Sequence, residues 1–190
     1  MLNNEEISSL CRDNDPENNM ISPFLDSTYN VTKEERKVPS YGLSYVGYDI
    51  RLYPDDFRIF TNTYKDHINL REDYASCLKK ITPVNGDVFI PPNSYALGVS
   101  LEKFNIPHNI VGKCIGKSTF ARMGIIVNVA PLEPGWKGHL TIEISNSCPL
   151  RVYIPIYGGI AQIQFEKINT PSYLYSGKYQ NQKGLELGKL

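Results

Sequence analysis

The sequence predicts an all-β domain, a single sandwich or distorted barrel with small helical decorations, and three observations carry that prediction. From residue 41 onward, short segments rich in Tyr, Val, Ile and Phe follow one another. Turn-forming runs such as NGD, PPNS, PHN, EPGW, SCP and YGG separate many of them. The 190 residues suffice for one sizeable core, against a usual domain of roughly 100 to 200 residues. Residues 1–190 are therefore read as one domain.

Taken in order, residues 1–12 fit a short helix with Ile7 and Leu10 as a thin apolar stripe, and DNDPENN ends it. Residues 26–40, DSTYNVTKEERKVPS, read as an exposed polar connection, so that 1–40 is an N-terminal helix and its link to the β region. Strands are expected at 48–53, 57–61, 87–90, 95–101, 110–115, 125–129, 138–145, 151–156 and 159–166. The stretch 66–80, DHINLREDYASCLKK, fits a long loop or a short helix. The tail 177–190, GKYQNQKGLELGKL, is polar enough to be mobile unless a ligand orders it.

Twenty basic residues balance 20 acidic ones, so no global field draws the chain to nucleic acid or a membrane surface. Any anion it binds must be caught locally. Cys11, Cys77, Cys114 and Cys148 form no C-x-x-C pair, which suits buried thiols in a reducing compartment better than zinc or a disulfide framework. The start, MLNNEEISSL, has no charged-then-apolar pattern, and no apolar run approaches a membrane span. A cytoplasmic protein is the expectation.

The run VGKCIGKSTFARMG invites a phosphate-loop reading, which fails on spacing. Only Lys113, Cys114 and Ile115 separate Gly112 from Gly116 where four residues are needed, and the segment soon runs into the strand-like IIVNV instead of opening a helix. Lys117, Ser118 and Arg122 still offer an ammonium, a hydroxyl and a planar guanidinium, which suit a triphosphate or a nearby acid; a solvated charge cluster is the alternative. In GHLTIEIS, alternation puts Leu140, Ile142 and Ile144 on one face and His139, Thr141, Glu143 and Ser145 on the other. Glu143 then sits either in a pocket, where desolvation fits it for proton transfer, or on a wet sheet face. Gln162 and Gln164 in GGIAQIQF pose the same choice between reading a base edge and facing water. His67, His108 and His139 share no metal-ligand spacing.

The run GKSTFARMGIIVNVAPLEPGWKGHLTIEISNS, with SYGLSYVGYDIRL upstream and GKYQNQKG near the end, resembles the dCTP deaminases of the dUTPase-like superfamily. The similarity spans residues 38–184 and looks closest to the proteobacterial-type enzymes. The resemblance implies a distorted β-barrel or jelly-roll-like subunit of dUTPase type, assembled as a homotrimer with active sites at subunit interfaces. It implies conversion of dCTP to dUTP and ammonia, feeding thymidylate synthesis, with Mg2+ accompanying the triphosphate and no zinc. Independently, the H-x-E and P-C-x-x-C signatures of zinc deaminases are missing from the chain.

Carried over by position, Glu143 takes the role of proton donor and acceptor, and Ser118 and Arg122 complete the catalytic set, Arg122 orienting Glu143 or the water. Lys117, Ser118 and Thr119 are assigned to phosphates, with Phe120 and Ala121 in the same loop. Thr141 and Ile142 flank the base through their backbone, Glu133 lies near the deoxyribose, and Trp136 is the aromatic of its turn. Gln162, Lys178 and Gln182 match substrate contacts, as does a tail tyrosine, Tyr173 or its competitor Tyr175. The tail 177–190 closes on substrate. Asp49 in GYDIRL reads as a structural carboxylate at an interface or turn. A bifunctional enzyme that also hydrolyses dUTP to dUMP is the runner-up, ahead of a dUTPase and of a trimeric β module without catalysis.

Overall fold

The computed structural model describes residues 1–61 and 65–189. Helix α1 (Asn4–Ser9) opens on a capping box, with the Asn3 side chain accepting from Glu6 N–H and the Glu6 carboxylate accepting from Asn3 N–H. The remaining regular structure is mainly β. Strands β1 (Ile21–Ser22), β2 (Thr28–Val31), β3 (Lys37–Leu43), β4 (Tyr48–Arg51), β5 (Arg58–Phe60) and β6 (Leu78–Lys80) form the first half. They are followed by β7 (Asp87–Ile90), β8 (Ser94–Asn105), β9 (Ile110–Gly116), β10 (Ile125–Asn128), β11 (Lys137–Asn146), β12 (Val152–Pro155) and β13 (Gly159–Lys167). A single helical turn, α2 (Ser118–Ala121), lies between β9 and β10.

The strands pair antiparallel throughout. One sheet runs β10-β11-β8-β5-β6 with β1 added alongside β8, a second runs β2-β3-β4-β13-β9, and β7 pairs with β12. A bridge between Leu52 and Ser100 joins the two large sheets near β4 and β8. Period-two burial explains the layering. On β11, Leu140, Ile142 and Ile144 are buried while their alternates are half-buried, and on β13 Ala161, Ile163 and Phe165 are buried while Gln162 and Gln164 are half-buried. These residues meet Phe57, Phe104, Phe120 and Ile154 in one core. A fully buried aliphatic or aromatic side chain stabilises by about 1.5–3 kcal/mol, so this core carries the fold.

Each strand read from the sequence is present, with ends shifted by a few residues. Three readings are corrected or resolved. The connection at 26–40 contains β2 and most of β3; β2 is exposed along its whole length, so it has no alternation to betray it. The stretch 66–80 resolves into a 3₁₀ turn at Ala75–Cys77 and edge strand β6. The GKST segment does open a helix, though only for one turn, before Gly124 at φ +78° redirects the chain into β10. No disulfide joins the four cysteines, of which Cys11 and Cys77 are buried. Among the described residues, no helix is long and apolar enough to cross a membrane.

Candidate active site

Strand β11 positions Glu143. It lies between β8 and β10, with Glu143 opposite Leu97 on one side and Asn128 on the other, and a register shift between His139 and Thr141 adjusts the pleat just before the site. Leu140 N–H donates to Ser100 Oγ at 2.8 Å at that irregularity, which keeps a buried backbone amide satisfied. The half-buried face then presents Thr141 and Glu143 to a cavity of about 370 Å³, lined also by Glu133, Trp136, Tyr175 and Gln182. Glu143 therefore faces a pocket, not a wet sheet surface.

The electrostatics of this cavity follow from exclusion of water. Burial pushes the Glu143 carboxyl above the ordinary glutamate range, against a smaller opposing effect of its own backbone amide. Among the described residues, its buried Oε2 has no hydrogen-bond partner. Burial first, and the Glu143 charge second, push the Cys114 thiol up to about 12; Tyr95 is likewise pushed up to about 12 by burial, then by Glu143 and Tyr74. A carboxyl whose pKa is raised in this way suits proton uptake and return.

The fourth wall of the cavity is the C-terminal segment. Asn181 N–H donates to Lys137 O and His139 N–H donates to Gln182 O, each at 2.8 Å, which adds a short parallel bridge at Gly138. Gly138 sits at φ +144°, and a Cβ there would lie 2.7 Å from Gln182 N and 2.8 Å from Gln182 O, so only glycine permits the crossing. Gln182 Nε2 donates to Thr141 Oγ1 at 2.6 Å, Trp136 Nε1 donates to Tyr179 O at 2.9 Å, and Gln180 Nε2 donates to Gly135 O at 2.8 Å. The polar tail thus docks on its own chain because its amides and carbonyls match groups left open at the start of β11.

The GKST loop occupies a different place. Lys117 Nζ pairs with the buried Asp49 carboxylate and donates to Ser40 Oγ at 3.0 Å. Gln162 Nε2 donates to the other oxygen of Asp49 at 3.1 Å, and Gln164 Nε2 donates to Gln162 Oε1 at 3.2 Å. Two residues read as substrate contacts therefore converge on one carboxylate. Asp49 itself lies within β4, not at a turn. Ser118, Thr119, Ala121 and Arg122 are exposed, whereas Phe120 is buried in the core.

The structure thus brings Glu133, Trp136, Thr141, Glu143 and Gln182 together around one cavity and leaves Lys117, Ser118, Thr119, Ala121, Arg122 and Gln162 outside its lining. Ile142 points into the core. Of the tail tyrosines, Tyr175 lines the cavity and Tyr173 is exposed at 89% outside it. Lys178 lies over the Tyr179 ring and donates to Lys189 O. Tyr179, Glu186 and Gly188 also line the cavity; Tyr179 lies in the GKYQNQKG motif but is not singled out by it, and Glu186 and Gly188 had no distinct signal in the sequence, since a polar tail shows no period. Among the described residues, no group of three or more His, Cys, Asp or Glu side chains is placed to hold a metal ion.

The comparisons with known proteins converge. The dCTP deaminase-like family matches residues 1–168. A dCTP deaminase of Paraburkholderia phymatum is 46% identical over 181 residues, spanning 91% of this chain and 92% of that protein. A dCTP deaminase of Chlamydia pneumoniae is 48% identical over 172 residues, spanning 87% of this chain and 88% of that protein. The solved structure of 2'-deoxycytidine 5'-triphosphate deaminase from Agrobacterium tumefaciens superposes with a TM-score of 0.61 at 14% identity over 87% of this chain. This chain spans about half of that one, 47% of its length, and at such identity the likeness is one of fold.

Proposed function

The chain belongs to the dCTP deaminase-like family, and from that membership we propose that it converts dCTP and water to dUTP and ammonia. The observation that carries the reading is Glu143, a desolvated carboxylate with one oxygen that has no partner among the described residues, facing a cavity in this chain. In this reading Glu143 takes a proton from water as the water oxygen bonds to cytosine C4, and passes that proton to ring N3. The second proton of the water then moves through Glu143 to the departing amino group. The C4–N bond breaks, C4 becomes a carbonyl, and ammonia leaves. One carboxyl serves all of these transfers because it returns each proton that it accepts.

The remaining roles are those the resemblance implies, and the shared cavity of Glu133, Trp136, Thr141 and Gln182 with Glu143 supports them. Trp136 and the backbone of Thr141 and Ile142 hold the base, Gln182 closes over it, and Glu133 faces the sugar. Lys117, Ser118 and Thr119 hold the triphosphate from a second copy of the chain, Lys117 on leaving its pair with Asp49, and Arg122 of that copy orients Glu143 or the water. The supporting observation is that these loop residues lie outside the cavity that holds Glu143, while Ile115, Met123 and Ile126 beside them are exposed. A homotrimer with sites between subunits joins the two halves. Mg2+ enters with the triphosphate, as part of the substrate. Zinc has no part in the reading; among the described residues, the cavity lining of this chain offers neither His nor Cys.

The test is incubation of the purified chain with dCTP and Mg2+, with products resolved by ion-exchange chromatography and ammonia assayed separately. Equimolar dUTP and ammonia are expected. Unchanged dCTP overturns the reading, and dUMP with pyrophosphate replaces it with the bifunctional one.

A further inference from the structure

Beyond residue 182 the tail is held by a part of the chain to which no role has yet been given. Leu185 N–H donates to Asp56 Oδ2 at 3.2 Å, and Gly188 N–H donates to the Tyr74 hydroxyl at 2.7 Å. Between these two points Glu186 N–H reaches Thr141 Oγ1 at 3.3 Å, so the segment crosses directly over the strand that carries Glu143. Glu186 and Gly188 both line the Glu143 cavity. The last contacts of the tail are thus walls of the site, fixed from outside it.

The two outside anchors are themselves braced. Asp56 uses its other oxygen for Arg58 Nε at 2.8 Å, which leaves Oδ2 aimed at the tail. Tyr74 stacks on Phe60 of β5 with ring centroids 6.4 Å apart and planes 16° apart, and Phe60 packs against Tyr95 at 5.5 Å. Tyr95 pairs with Ser145, two residues along β11 from Glu143 and on the same face. A backbone amide held by an oriented side chain is a directional contact, and two of them a few residues apart fix a segment that has no strand partner of its own.

We propose that Asp56 and Tyr74 are positioning residues that latch the C-terminal segment over the Glu143 cavity and so set how fast nucleotide enters and leaves it. The nucleotide part of this inference rests on the deaminase reading; the latch itself does not. Both contacts are made by the chain's own groups and nucleotide adds nothing to them, so weakening them raises entry and exit rates together and leaves equilibrium affinity nearly unchanged.

The experiment uses the full chain with Tyr74→Phe, which keeps the ring stack and removes only the hydroxyl, and Asp56→Ala as a second variant. Losing one such hydrogen bond speeds tail opening by roughly threefold to tenfold. Hydrogen exchange of the amides of residues 184–189 is expected to rise by that factor while β8 and β11 stay protected. Acrylamide quenching of Trp136, the single tryptophan, is expected to increase, since it lines the cavity and bonds the tail. In a Glu143→Gln background, stopped-flow mixing with dCTP should show association and dissociation rising together. Unchanged tail exchange and quenching in both variants overturns the latch. Faster tail exchange with unaltered nucleotide rates overturns its bearing on the site, and a rise in dissociation alone makes these residues ligand contacts instead. If the chain with Glu143 intact also fails to bind dCTP, the deaminase reading falls, and exchange with quenching still decides the latch.

Discussion

Replacing Glu143 with Gln removes proton transfer while keeping nearly the same shape, and the structure sets the scale of the effect. Among the described residues, no cation shifts Glu143 and one of its oxygens lacks a partner, so the ionised group is held by little besides the cavity. Of the other carboxylates on the wall, Glu186 is paired with Lys189 at 3.0 Å and Glu133 is exposed, so neither is a desolvated base like Glu143. Positioned acid–base catalysis contributes roughly 10²–10⁴-fold, so kcat is expected to fall by about 10³, or about 4 kcal/mol of transition-state stabilisation. Binding of dCTP by titration calorimetry should change by less than a few-fold. Stability gives an independent sign. Burial raises the folded-state pKa of Glu143, so the unfolded chain loses its proton first as pH rises, and the ionised group then destabilises the fold. The stability of the wild-type chain relative to Glu143→Gln should therefore decline as pH rises from the ordinary glutamate pKa of about 4.3 through the raised value, and level off above it. A kcat within tenfold of wild type refutes the proton-transfer role, and loss of dCTP binding recasts Glu143 as an anchor for the substrate.

The acid limb of the kcat/KM profile should have its midpoint above about 4.3, because the base must be ionised and its pKa is raised by burial; a midpoint at or below that value removes Glu143 as the titrating base. Asp49→Ala should lower unfolding free energy in urea by about 3–5 kcal/mol, since it strips the carboxylate from the Lys117 ammonium and the Gln162 amide at a buried position; a loss under 1 kcal/mol shows that Lys117 swings into solvent. Gly138→Ala should push Gln182 off β11, raising exchange in residues 180–189 and Trp136 quenching, with the β8–β11 ladder intact; unchanged quenching shows that the crossing adjusts to a Cβ.

Much of the site was legible wherever burial alternates along a strand. Leu140, Ile142 and Ile144 declared the core face of β11 and so placed Thr141 and Glu143 together on the other. The alternation left open whether that face met water or a cavity, because the deciding wall comes from residues 175–188, distant in sequence. Gln162 shows the same limit. Its face was readable, but its partner Asp49 stands 113 positions away, and period two says nothing about which carboxylate a buried amide meets. Strand β2 escaped notice for a simpler reason: its four residues are all exposed, so hydrophobic pattern has no purchase on it.

By itself the amino-acid sequence determined the β class, nine of the strands, the two faces of β11 and β13, and the GKST and GKYQNQKG motifs on which the resemblance rests. These are local properties, set by side-chain period and by turn chemistry within a few residues. Only the tertiary structure decided that Glu143 is desolvated, that Lys117 and Gln162 share Asp49, and that Asp56 and Tyr74 hold the tail against the cavity. Each of these depends on groups brought together from distant positions, and hydrogen bonding and dielectric exclusion act through space, not along the chain.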